Sequence, residues 1–160
     1  MESLKPMNQK SFTVEQTSLL SLLASMQPIC TKRTALDVTE SILFQVSPRE
    51  LILKATDLEI SLQSSVQIES SLTESFKFLV SGKRIFDLVK ELDGTIEFVL
   101  EERTVRINAS SSIGLSLAIK EFDDFPSFPE CIENLMHIDA QFLLSMLGTL
   151  LVLLGFSDFL

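Results

Sequence analysis

Apolar residues recur with a helical period in two segments of the chain and alternate with polar residues in most of the others. Helical spacing covers Leu19–Met26 and Ser81–Leu92, so a helix is predicted in each segment. Thr17 or Ser18 is expected to cap the first helix, and Pro28 is expected to end it.

Alternating or short apolar runs predict eight strands. These are Ser11–Glu15, Ser41–Val46, Glu50–Ala55, Ile60–Ile68, Phe76–Val80, Thr95–Leu100, Thr104–Ile107 and Leu115–Ile119. Taken with the helices, they give the order strand, helix, strand, strand, strand twice. Two such units bury their apolar surfaces if the two helices pack on antiparallel sheets. The predicted fold class is therefore α+β, with duplicated βαβββ units.

The chain then enters a proline-containing segment that is predicted to be a linker over residues 123–131. Leu135–Ile138 has the pattern of a further strand. Asp139 is placed to cap a helix over residues 139–156, as if a third unit began there. From Leu150 onward this helix has no polar face, which normally requires burial on all sides.

Composition narrows the possible functions. The chain has 160 residues, which is enough for one domain and part of another. Its net charge is −9. A single His excludes a multi-histidine metal site, and two Cys favour a reduced, intracellular chain. The acidic total argues against non-specific DNA binding over the whole surface, so any DNA contact would need local basic patches or topology.

No segment has the pattern of a catalytic site, and no cofactor, metal or small-molecule substrate is predicted. Gly82-Lys83 lacks the upstream glycine and following hydroxyl of a phosphate-binding loop. Asp57 and Glu59 are interpreted as solvated turn carboxylates, although an enzyme using them as acid and base stays as a minor alternative. His137 is interpreted as structural.

A second alternative is a membrane-attached, non-enzymatic binding module with a C-terminal apolar anchor at residues 142–160. The start of the chain is polar and shows no signal peptide. The apolar run is shorter than the roughly 20 residues of a membrane span and contains Gly148, Gly155 and Asp158.

Five stretches resemble the bacterial sliding clamp family, the beta subunit of DNA polymerase III. They are SFTVEQTSLLSLL, KRTALDVTESILFQV, LKATDLEISL, FLVSGKRIFDLVKEL and LSLAIKEFDDFPSF, in the order and spacing of the family. The resemblance implies residues 11–122 as the N-terminal clamp domain. Residues 1–10 would be an N-terminal extension and residues 132–160 a truncated start of the second domain with a divergent apolar tail.

The resemblance implies the DNA clamp fold and a cytoplasmic, non-catalytic processivity subunit that encircles double-stranded DNA in a homodimeric ring. Its partners would be the clamp loader and the polymerase III subunits. The present chain is not expected to close such a ring by itself, because its apolar end should drive self-association. The peptide-binding pocket of the family lies between later domains and is not expected here.

Site residues follow from the same resemblance. Arg33 matches a loop arginine that touches DNA, and Lys83 and Arg84 match basic positions at the start of the second inner helix. Lys32 shares the loop of Arg33 and is included as a DNA-binding candidate. Leu115 and Leu117 match the apolar strand positions of the subunit interface. Ser110–Gly114 stands where the family often has arginines, so ion pairing across that interface is not expected.

Overall fold

The computed structural model describes residues 10–32, 34–109, 114–128 and 138–153, with side chains up to residue 150. The chain divides into two compact units, residues 1–127 and 128–160. Arg33, the expected N-terminal extension up to residue 9, Ser110–Ile113, the start of the strand predicted at Leu135–Ile138, His137 and the chain beyond Leu153 lie outside the described residues.

The first unit contains nine strands, two α-helices and a short 3-10 helix within its described residues. The strands are β1 (Ser11–Glu15), β2 (Ser41–Val46), β3 (Glu50–Thr56), β4 (Ser61–Gln67), β5 (Glu69–Ser70), β6 (Phe76–Ser81), β7 (Thr95–Leu100), β8 (Thr104–Ala109) and β9 (Gly114–Ala118). The helices are α1 (Gln16–Cys30) and α2 (Gly82–Lys90), and the 3-10 helix is Asp37–Glu40. Only β5 and the 3-10 helix were absent from the sequence prediction.

Two antiparallel sheets form, and each contains strands from both halves of the repeat. One sheet has the order β5-β1-β7-β8-β9, and the other has the order β4-β3-β2-β6. The first strand of each repeat thus pairs within the sheet of the other repeat, β1 with β7 and β6 with β2. This confirms the α+β class and the duplicated strand-helix-strand-strand-strand order.

Phenylalanines fill the space between the sheets. Phe12 stacks on Phe98 at 4.9 Å between ring centroids, and Phe44 stacks on Phe78 at 5.1 Å. The ring centroids of Phe44 and Phe98 are 6.1 Å apart, so one aromatic cluster joins the two sheets. Burying such a side chain contributes about 1.5–3 kcal/mol, so this cluster is a major part of the core.

Two expectations for α1 are wrong. The helix begins at Gln16 without a side-chain cap, because the Gln16 N–H donates instead to the carbonyl of Gly94 at 2.9 Å. Pro28 does not end the helix, which continues to Cys30. Pro28 lies in the last turn and is exposed, so the carbonyl that loses its backbone donor there can still reach water.

The second unit is described by its helix α3 (Ala140–Leu153). Its predicted cap is present, since the Phe142 N–H donates to Asp139 Oδ1 at 2.9 Å. The apolar side chains of α3 are exposed, with Phe142 at 61% and Leu144 at 65%. Within the described ranges, no helix is both long and apolar enough to cross a membrane.

Candidate nucleic-acid interface

Helices α1 and α2 lie side by side and run antiparallel. Gln16, at the start of α1, donates its Nε2–H to the carbonyl of Val89 at 3.0 Å. Gln27, near the end of α1, donates to the carbonyl of Gly82 at 2.9 Å. Two side-chain amides therefore fix the pair at both ends, and the helices present one continuous surface away from the core.

Close approach of the helices depends on Gly82. A Cβ atom at this position would lie 2.9 Å from both Cβ and Sγ of Cys30, at the end of α1. Ordinary contacts between carbon atoms lie at about 3.5–4.0 Å, so only glycine fits there without movement. The start of α2 and the basic residues that follow are therefore held directly against α1.

Lys83 and Arg84 follow Gly82 in the first turn of α2, and both side chains are exposed. The hydroxyl of Ser81 caps this turn by accepting from the Arg84 N–H at 3.5 Å. In the part of the chain that the structure describes, neither basic side chain forms an ion pair with a carboxylate. Their charges face the positive end of the helix dipole, which disfavours cations there by about 0.3–1 kcal/mol. An approaching phosphate would relieve that repulsion.

The neighbouring surface of α1 carries no charge. Its exposed residues include Ser18, Ser21 and Ser25, and α1 contains no Asp, Glu, Lys or Arg. On α2, Asp87 and Lys90 are also exposed, so the helix retains an excess of positive charge on this side. The helix pair is thus neutral to basic on a chain whose total charge is −9.

Lys32, in the loop after α1, is already engaged by two carboxylates. Its Nζ lies 3.0 Å from Asp57 Oδ2 and 2.6 Å from Glu59 Oε2. Hydrogen bonds to Glu59 and Asp57 raise the pKa of Lys32 above its usual value. Unlike Lys83 and Arg84, Lys32 has its positive charge compensated within the protein.

Asp57 is buried, not solvated as its sequence context suggested. The residue is only 5% exposed, whereas the Glu59 side chain is 76% exposed. Asp57 Oδ1 accepts from the N–H groups of Glu59 at 3.0 Å and Ile60 at 2.7 Å. The bond from Ile60 and the Lys32 ammonium hold the pKa of this carboxyl below its usual value, so it stays charged.

Leu115 and Leu117 lie on β9, which pairs with β8 and forms the end of its sheet. Leu115 is 38% exposed, and Leu117 packs partly against the core. One edge of β9 pairs with β8, and within the described ranges no strand pairs with its other edge. The expected interface residues thus occupy an open, uncharged sheet edge.

Catalytic and metal chemistry find no support among these groups. Within the described residues, no group of three or more His, Cys, Asp or Glu side chains could hold a metal ion. Asp57 and Glu59, a pair of carboxylates singled out from the sequence, both contact Lys32, and Asp57 also holds its turn.

Comparison with known proteins decides the family. The model for the N-terminal domain of the DNA polymerase III beta subunit matches residues 10–129, well over half of the chain. The chain belongs to this family, the bacterial beta sliding clamps. A beta sliding clamp of Vibrio harveyi is 31% identical over 121 residues, covering 74% of this chain and 82% of that protein.

Solved clamps have the same fold. The DNA polymerase III subunit beta from Pseudomonas aeruginosa matches with a TM-score of 0.75 and 28% identity, over 88% of this chain and 37% of that one. The Helicobacter pylori beta clamp bound to a DNA ligase peptide matches with a TM-score of 0.68 and 25% identity, over 76% of this chain and 34% of that one. The chain therefore spans about a third of these clamps.

Family membership confirms the predicted clamp fold. Beta sliding clamps are non-catalytic processivity factors of DNA replication, so the expectation of no enzymatic activity is confirmed by the family. Reasoning from the sequence missed two features: the burial of Asp57 and the contact of Gly82 with Cys30. A glycine opening an amphipathic helix was the one available signal for the second.

Proposed function

We propose that this chain supplies the first domain of a sliding clamp subunit, which helps to encircle duplex DNA and gives the replicative polymerase its processivity. Residues 11–122 form that domain in this proposal, and residues 132–160 begin the second. The observation that carries it is the clamp fold with an exposed helix pair on which, among the described residues, Lys83 and Arg84 have no carboxylate partner.

The DNA contacts are proposed at Lys83, Arg84 and Arg33. Lys83 and Arg84 are exposed in the first turn of α2, where helix dipole and side-chain charge both favour an anion. Arg33 is included by family position. An acidic protein can hold DNA in this way because the phosphates meet a local neutral-to-basic surface while most of the acidic groups lie elsewhere.

The subunit contact is proposed at Leu115 and Leu117. An uncharged strand at the end of a sheet is a natural site for pairing with another chain, since its outer N–H and C=O groups need partners. In the proposed ring this edge meets a second clamp subunit. The clamp loader, the polymerase III subunits and the cytoplasmic location belong to the same proposal.

Duplex binding by charge variants tests the DNA contacts. A fluorescently labelled duplex is titrated with the full 160-residue chain at several low salt concentrations, and anisotropy reports binding. Lys83→Ala combined with Arg84→Ala should weaken binding and reduce the salt slope by about 2, one per phosphate contact.

Lys77→Ala is the matched control. Lys77 is an exposed lysine on β6, where it alternates with the buried Phe76 and Phe78 and so points away from the core. The Lys77→Ala substitution also removes positive charge, but from the sheet surface, and it should leave the salt slope unchanged. If Lys77→Ala reduces binding and the salt slope as the double variant does, or if the double variant binds as the unmodified chain does, the helix pair is not the DNA surface.

A further inference from the structure

The two ends of α2 differ in how well its own residues stabilise them. The first turn carries Lys83 and Arg84 and no acidic residue, so two positive charges lie at the positive end of the helix dipole. Its cap is weak, because the Arg84 N–H is 3.5 Å from Ser81 Oγ, longer than the usual range of about 2.7–3.2 Å. The last turn carries Lys90, whose charge suits the negative end of the dipole. The first turn is therefore the end that needs support from outside the helix.

Gln27 provides such support from α1. Its Nε2–H donates to the carbonyl of Gly82 at 2.9 Å, and the bond is partly buried, so water competes with it less. Gly82 directly precedes Lys83, so the bond holds the peptide group at which the basic pair begins. The contact of Gly82 with Cys30 limits how closely the helices approach. The Gln27 bond adds an attraction that keeps them at that distance.

The backbone that carries the Gln27 amide is itself held in place. The Gln27 carbonyl accepts two hydrogen bonds from Thr31, one from its N–H at 3.0 Å and one from its hydroxyl at 2.8 Å. Met26 and Ile29, on either side in sequence, are buried in the core at 0% and 7% exposure. The bond from Gln27 therefore fixes the first turn of α2 relative to a rigid part of α1.

Gln16 offers a matched comparison at the other end of the helix pair. Its Nε2–H donates to the carbonyl of Val89 at 3.0 Å, and this bond is also partly buried. Val89 lies six residues after Lys83, which is about 9 Å along the helix axis at about 1.5 Å per residue. The two amides thus form the same kind of bond between the same two helices, but only one of them acts beside the basic residues.

We propose that Gln27 is a positioning residue of the DNA surface: its amide holds the first turn of α2 closed and so keeps Lys83 and Arg84 oriented toward the phosphates. The inference rests on the proposed function for the DNA contacts of those two residues. Without the Gln27 donor, the turn is closed in a smaller fraction of molecules, because its cap is weak and its charges oppose the dipole. The apparent affinity for DNA falls with that fraction.

Amide hydrogen exchange, followed by NMR on the full 160-residue chain, measures closure of the turn directly. Gln27→Met and Gln16→Met each remove one donor without changing the charge, and Met has a helix propensity close to that of Gln. The Phe86 N–H closes the first turn of α2, since in α-helical geometry it donates to the Gly82 carbonyl. In Gln27→Met it should exchange roughly two- to tenfold faster, the factor that corresponds to one lost hydrogen bond. The Lys90 N–H, in the last turn, should be unaffected.

Gln16→Met should give the reverse pattern, because the Lys90 N–H belongs to the same peptide group as the Val89 carbonyl. Circular dichroism and urea midpoints confirm that both variants are folded. Unchanged exchange of the Phe86 N–H in folded Gln27→Met would overturn the proposal. Equal acceleration at both ends of α2 would also overturn it, because the bond would then stabilise the fold as a whole and not the first turn.

DNA binding is measured next, by the same duplex titration in chains with and without Lys83→Ala and Arg84→Ala. Gln27→Met should weaken binding about twofold or more when both basic residues are present, and it should cause no loss when they are replaced. Gln16→Met should weaken binding less. An equal loss in Gln16→Met, or a loss in Gln27→Met that persists without the basic pair, would overturn the positioning role. If replacing Lys83 and Arg84 leaves binding unchanged, the proposed DNA contacts fail and Gln27 positions none, while the exchange result still decides whether Gln27 holds the turn.

Discussion

Replacing Gly82 with alanine tests the packing of the two helices that form the proposed DNA surface. The new Cβ would lie 2.9 Å from Cβ and Sγ of Cys30 and 3.3 Å from the carbonyl oxygen of Glu40. Cys30 is 4% exposed and its Cβ is fixed to the α1 backbone, so it has little room to rotate away. Burial raises the pKa of the Cys30 thiol to about 11, so the group that is crowded at neutral pH is a neutral thiol.

The expected loss of stability is the difference between an unfavourable packing contribution and a favourable helix-propensity contribution. Relieving contacts at 2.9 Å requires α2 to move by about 0.6–1 Å to reach ordinary van der Waals separation. Overpacking of this kind typically costs about 1–3 kcal/mol. The same shift strains the Gln27 bond to the Gly82 carbonyl, while the better helix propensity of alanine returns at most about 1 kcal/mol. We expect Gly82→Ala to lower the free energy of unfolding by about 1–2 kcal/mol.

Urea denaturation followed by circular dichroism measures this change. Gly114→Ala is the control within the same unit, because among the described residues its new Cβ meets only Asn108 Oδ1, at 3.3 Å, the end of a side chain. It should change stability by less than about 0.5 kcal/mol. Cys30→Ala removes one of the two crowding atoms, so Gly82→Ala should be less costly in that background, with a coupling of at least about 0.5 kcal/mol.

Two results would refute this reasoning. A Gly82→Ala chain as stable as the unmodified one would mean that α2 is free to move away from α1. A loss of stability without coupling to Cys30→Ala would mean that the cost arises elsewhere. Because Lys83 and Arg84 follow directly, the destabilised variant should also bind duplex DNA more weakly under conditions where it is still folded.

Three further predictions concern the turn between β3 and β4, and α3. Leu58→Gly should leave the free energy of unfolding unchanged or raise it by up to about 1 kcal/mol, since φ 77° suits glycine and the Leu58 side chain is 51% exposed. Urea denaturation measures this change, and a clear loss of stability would contradict the prediction. The lowered pKa of Asp57 means that its charged form stabilises the fold above the unfolded value of about 3.9, and this contribution is lost as pH falls through the folded pKa. Thermal melts against pH should therefore show an acid-side loss that Asp57→Asn lacks. Exposed Leu144 and Leu147 predict concentration-dependent association of the 160-residue chain in light scattering, reduced by changing both to Lys; a monomer at all concentrations would contradict it.

The candidate site was only partly predictable from the sequence. The exposure of Lys83 and Arg84 followed from the period of α2, because Ile85 and Val89 must face the core and the basic residues must then face out. The role of Asp57 did not follow, since its partner Lys32 is distant in sequence and a turn carboxylate is usually solvated. The prediction that Pro28 ends α1 failed for a related reason. The helix tolerates the loss of one backbone hydrogen bond there, because buried residues on both sides of Pro28 hold α1 in place.

The sequence alone determined the elements and their order, because the spacing of apolar residues is a local property that the backbone period dictates. Ser11–Glu15 alternates, the apolar residues of α2 repeat every three to four residues, and both patterns are visible without any partner. Only the tertiary structure decided that β1 pairs with β7 and β6 with β2, since either repeat offers equally apolar edges. It also decided the burial of Asp57 and the contact of Gly82 with Cys30. Both depend on distances between segments that share no local pattern, and such distances are set only when the whole core packs.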